Sequence, residues 1–145
     1  MSKSATSDPA AASGMATTLW LLLQTLWVGG LWILHFMVLP GLSAAKLAPL
    51  LIEEVARALV PQMVIVTLVC VLLQAGLLAK VAGLSALWRE RRGQLLLATL
   101  VVALGLLASL EGWPQALYLQ RFSYLLLAFF GLLLVQQPVP VRKQP

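Results

Sequence analysis

Apolar residues along the chain gather into four runs separated by short polar or proline-marked breaks. The first covers about residues 19–39 and stops at Pro40-Gly41. The second covers about 60–78, the third about 95–110 and the fourth about 117–135. The first has the ~20 residues a helix needs to cross a hydrocarbon core about 30 Å thick. The polar segment after the first run has its own period. Leu47, Leu50, Leu51, Val55, Ala58 and Leu59 recur at helical spacing, with Lys46, Glu53, Glu54 and Arg57 mostly away from them. Glu53 stands four residues before Arg57, the favourable order for a helical ion pair. The pattern predicts a short amphipathic helix over about 46–59, resting at a membrane interface. Pro61 then suits the first turn of the second span.

The expected fold is therefore all-α: an integral membrane bundle of four transmembrane helices, with an outer amphipathic helix between spans one and two. Residues 18–136 form the domain. Residues 1–17, rich in Ser, Ala and Thr, and the Pro-rich residues 137–145 read as flexible tails. Ser43-Ala44-Ala45 resembles a signal-peptide cleavage site, but the first run is too long for one, and Lys3 is too far from it to form a basic leader.

Composition strengthens the membrane reading. Of 145 residues, 61% are hydrophobic and 10% charged, and a chain this short has no globular core large enough to hide that much apolar surface. The formal charge of +5 would point to nucleic acid in a soluble protein. Here it sorts by side instead, so no nucleic-acid partner is expected. Lys3, Lys80, Arg89, Arg91, Arg92, Arg142 and Lys143 fall on one side of a four-span layout, and Lys46, Arg57 and Arg121 on the other. That distribution puts both termini in the cytoplasm, and the expected location is a bacterial inner membrane. Trp20, Trp88, Trp113 and Tyr118 lie near span ends, where aromatic belts form. The basic segment Trp88-Arg89-Glu90-Arg91-Arg92 also has the composition to attract anionic lipid, although orienting the chain is role enough for it.

Candidate chemistry is sparse. Gln24, Val28, Leu31 and His35 share one face of the first span; Met63, Thr67, Cys70 and Gln74 share one face of the second. If those faces meet, they form a weakly polar seam of Gln24, His35, Thr67, Cys70 and Gln74. Ionisable groups inside a membrane are costly and often functional, which singles out His35. A neutral, hydrogen-bonded histidine is the plainer reading. A copper site from His35, Met63 and Cys70 matches soft-ligand chemistry only if the packing brings them together. With a single His and a single Cys, neither bis-histidine haem nor a Cys/His zinc motif can be built from one chain. No phosphate loop, HExxH or GxSxG motif appears. No cofactor and no resident metal are expected, and the chain does not read as an enzyme.

Small residues mark where helices approach closely: Gly29 and Gly30 in span one, Gly105 and Ser109 in span three, Ala128 and Gly131 in span four. On the outer side, Arg121, Glu111, Glu53 and Arg57 are candidates for ion pairing near water.

Leu26-Trp27-Val28-Gly29-Gly30-Leu31-Trp32, closing in Val38-Leu39-Pro40, resembles the opening of the domain of unknown function 4149 family. These are small bacterial membrane proteins related to transmembrane protein 205. The resemblance continues over residues 18–135 in layout and implies a four-helix inner-membrane protein with no assigned activity. Copper-resistance membrane proteins of the CopD type share the Trp-Val-Gly-Gly flavour but are richer in histidine. The function expected is that of an accessory or interaction protein whose partners are the bilayer and another membrane protein or a second copy. A small transporter or metal-handling protein, or a subunit of a larger complex, are the alternatives.

Overall fold

The architecture comes from a computed structural model that describes residues 9–112 and 117–139, with side chains described over 14–109 and 121–139. Every regular element among the described residues is helical. They are α1 (Pro9–Ile33), a π-turn (Leu34–Val38), α2 (Leu39–Ala44), α3 (Pro49–Ala82), α4 (Ala86–Arg89), α5 (Arg91–Gly112) and α6 (Leu117–Val135).

Three helical stretches are long and apolar enough to cross a membrane: Gly14–Ala44, Pro49–Ala82 and Arg91–Ser109. The described side chains of α6, Arg121–Val135, make a shorter apolar helix. The four long helices form a ring. α1 packs on α3 and α6, and α5 packs on α3 and α6, while neither diagonal pair comes close among the described residues. Trp27, Leu31, Val64, Val71, Leu78, Leu96, Leu106, Leu127 and Leu134 fill the middle and are almost wholly buried. Outward positions carry equally large apolar residues, among them Leu22, Leu26, Ile65, Leu73, Val101 and Phe129.

Several boundaries differ from those the sequence suggests. Helix α1 begins at Pro9, so residues 9–17 are helical rather than a tail; Ala10, Ala11 and Ala12 favour helix without needing an apolar face. The first apolar helix also runs past Pro40 to Ala44. A proline lacks the N–H that would bond the carbonyl four residues back, and its ring crowds that carbonyl. The wide π-turn lies immediately before it, where Leu39 N–H bonds the Leu34 carbonyl. That widening lets the helix continue.

The amphipathic helix expected over 46–59 is not a separate element. Its residues from Pro49 onward are the start of α3, a single 34-residue helix with Pro61 inside it. Pro61 forfeits one hydrogen bond, to the Arg57 carbonyl, and the remaining ladder carries the helix through. Helix α3 starts three residues after the expected start of the amphipathic helix: Ala48 is extended (φ −55°, ψ 135°), as a residue before proline prefers, and Pro49 sits at the first turn. Similarly, α5 starts at Arg91, several residues before the apolar run, because arginine is a good helix former.

The turn between α2 and α3 closes through Ala45 N–H to the Gly41 carbonyl and Lys46 N–H to the Ser43 carbonyl. Lys46 adopts φ 55°, a left-handed conformation that costs a residue with a Cβ about 1–2 kcal/mol. Its side chain is exposed. Replacing Lys46 by glycine is expected to stabilise the fold by about 0.5–1 kcal/mol, the relief exceeding the added chain entropy. Unfolding followed by tryptophan fluorescence in detergent measures it, and a lowered midpoint would contradict the turn geometry.

Candidate functional site

The polar atoms of the interior meet at two places. The first joins α1 to α3. Gln74 is fully buried, and its Oε1 accepts a hydrogen bond from the Trp27 indole N–H at 3.0 Å. Its Nε2 donates to the Trp20 carbonyl at 3.3 Å. The partners fix the amide's orientation, since an indole can only donate and a carbonyl can only accept. An unpaired amide among these apolar side chains would cost a few kcal/mol, so the junction specifies one register between the two helices.

The second place joins α1 to α6. The Tyr124 hydroxyl donates to the Leu31 carbonyl at 3.0 Å, just before the π-turn. Within that turn the His35 ring lies 5.5 Å from the Tyr124 ring and edge-on to Phe36 at 5.0 Å. Phe36 in turn stacks on Trp32 at 4.8 Å. His35 is half-buried and makes no hydrogen bond among the described residues. π-turns recur at functional sites because they open the backbone ladder. Here the feature supplies an aromatic cluster around one imidazole.

No hydrogen bond links Gln24 or His35 to Thr67, Cys70 or Gln74 among the described residues. Gln74 pairs with Trp27 and Trp20, whereas the face bearing Val28 and His35 contacts α6 through Gly131 and Tyr124. Gln24 is buried and makes no side-chain hydrogen bond among the described residues. Thr67 is buried and satisfied within its own helix, donating to the Met63 carbonyl at 2.9 Å. Cys70 is a buried free thiol in the apolar core. Among the described residues no three His, Cys, Asp or Glu side chains come together in a way that would hold a metal ion.

The small residues divide into two groups. A Cβ on Gly30 would collide with the Met63 side chain, and one on Gly131 would come within 2.9 Å of Val28 and 3.0 Å of Trp27. Both glycines therefore admit a neighbouring helix, and Ala128 is buried beside Gly131 on α6. Gly29 and Gly105 have nothing within 4 Å of the same position, and Gly105 is exposed. Ser109 donates to the Leu106 carbonyl at 2.7 Å. Of the residues considered for ion pairing, Arg57 pairs with Glu53 at 2.8 Å with both side chains exposed, and Arg121 is exposed. The Glu111 side chain lies outside the described residues.

Trp20, Trp27 and Tyr124 were not among the candidate residues. Their signal was available: Trp20 and Trp27 are seven residues apart, on one helical face, and a mid-span tyrosine hydroxyl needs an acceptor. Compared with protein families, curated proteins and solved structures, the chain shows no match.

As a chemical device, the Gln74 junction holds helices together and leaves no group poised to react. Gln74→Leu and Trp27→Phe are each expected to destabilise the fold by about 1–2 kcal/mol. The double variant should lose less than the sum, with a coupling of about 1 kcal/mol in a double-mutant cycle. Strict additivity would mean the hydrogen bond contributes nothing.

Proposed function

We propose that the chain is a polytopic protein of the bacterial inner membrane that crosses the bilayer four times with both termini in the cytoplasm. In this reading it acts as an accessory protein by receiving a helix of another membrane protein, or of a second copy, against its own surface. The likeness to the domain of unknown function 4149 family belongs to the same proposal. Support for the membrane setting comes from the apolar outer surface of the helices, where Leu22 is 62% and Val101 69% exposed. Water would not tolerate so continuous an apolar exterior, and lipid would.

One observation carries the accessory role. Gly105 opens a notch on the outer face of α5, between exposed Val101, Leu104 and Ala108, with nothing within 4 Å of where a side chain would begin. Lipid-facing helices attract each other through close backbone approach at small residues, because there is little hydrophobic drive between them. The buried Gln74 and Tyr124 hydrogen bonds, by comparison, are used up in holding the helices.

Topology reporters test the setting. A fusion after Arg92 should report the cytoplasm and one after Gly112 the opposite side, whereas the same side at both positions refutes the four crossings. Gly105→Leu tests the role. It should leave the unfolding midpoint unchanged or slightly raised, since glycine is a poor helix former, while abolishing association seen by crosslinking in native membranes. An unmodified protein that runs strictly as a lone monomer in mild detergent and never crosslinks would overturn the accessory reading.

A further inference from the structure

The basic loop between α3 and α5 is more than a topology signal, because it borders a groove. Arg91, Gln94, Leu95 and Ala98 of α5 and Leu133 and Gln137 at the end of α6 line a cavity of about 440 Å³. Its lining is ordered along the helix axes. Arg91, Gln94 and Gln137 form its polar end; Leu95 follows Gln94 directly, and Ala98 and Leu133 lie about one turn further along α5 and α6 and form its apolar end. A phospholipid has the same order along the membrane normal, with phosphate above acyl chain.

The electrostatics at the mouth favour an anion. Residues 89–92 carry three arginines and one glutamate. That glutamate, Glu90, lies 3.9 Å from Arg92 Nε, and Arg91 has no ion pair among the described residues. Arg92 also keeps one guanidinium nitrogen buried without a partner. Helix α5 starts at Arg91 with no acidic residue in its first turn, and Glu90, just before it, is the one carboxylate in residues 89–92. Gln94 Nε2 donates one hydrogen to the Trp88 carbonyl at 2.9 Å, which holds the mouth against the loop and leaves its second hydrogen for the groove.

We infer that this groove seats one anionic phospholipid of the cytoplasmic leaflet, its phosphate against Arg91, Gln94 and Gln137 and an acyl chain along Leu95, Ala98 and Leu133. The inference rests on the proposed topology, which puts this end of the helices in the cytoplasm.

The test uses the full chain in phosphatidylcholine nanodiscs doped with phosphatidylglycerol, counting retained phosphatidylglycerol by native mass spectrometry. The unmodified protein should retain phosphatidylglycerol over phosphatidylcholine. Arg91→Gln should weaken that preference about five-fold, the effect of one basic residue near the headgroup layer. Ala98→Leu, which fills the apolar end without touching charge, should weaken it as well. Arg89→Gln, on α4 outside the groove, should have a much smaller effect. If Arg89→Gln matches Arg91→Gln, the attraction is diffuse surface charge and the site is wrong. If Ala98→Leu has no effect, the groove holds only the anionic headgroup and the seat for an acyl chain is wrong. A reporter after Arg92 facing outward sinks the topology itself. An inward reporter with no lipid preference sinks only the site.

Discussion

A single buried amide sets the relation between the two longest helices. Gln74 has an indole on one side that can only donate and a carbonyl on the other that can only accept, so sliding α3 along α1 by a turn strands three polar groups at once. Apolar packing alone is forgiving about such a shift, because one leucine fills much the same space as the next. The polar junction is not. With α1 and α3 fixed, the Tyr124 bond to the Leu31 carbonyl fixes α6, and α5 occupies the remaining side of the ring. Gly30 and Gly131 make the same order possible sterically, each lying where a Cβ would push a neighbouring helix away.

The run lengths made the helices and their order legible, because apolar length is a one-dimensional property. The described part of the last helix, Leu117–Val135, ends where the fourth apolar run ends. What the sequence concealed lies where a local rule was outweighed. Pro40 and Pro61 read as ends and starts, yet a proline costs a long helix one hydrogen bond, and the many others carry it through. Amphipathicity at 46–59 described a face, which looked like a separate element but is the beginning of α3.

The interior partners were harder to see for a different reason. A helical wheel shows which residues share a face but not which helix that face meets. Gln74 appeared on a stripe with Thr67 and Cys70, and Gln24 on a stripe with His35, and pairing the stripes was the natural inference. Instead Val28 and His35 lie against α6, while Trp20, expected in an aromatic belt, and Trp27 serve Gln74. The amphiphilic indole made that ambiguity, since the same ring suits an interface and a buried hydrogen bond.

The π-turn at Leu34–Val38 has a geometric result beyond accommodating Pro40. It holds one residue more than the α-helical turn it replaces, and each residue of an α-helix advances about 100° around the axis. Residues after Val38 are therefore rotated by roughly that angle relative to those before Ile33. The two halves of the first apolar helix are out of phase, like a thread cut in two pieces and rejoined with a twist. That offset aims the exit of α2, and with it the departure of the chain toward Pro49, independently of the face that Trp20 and Trp27 hold against α3.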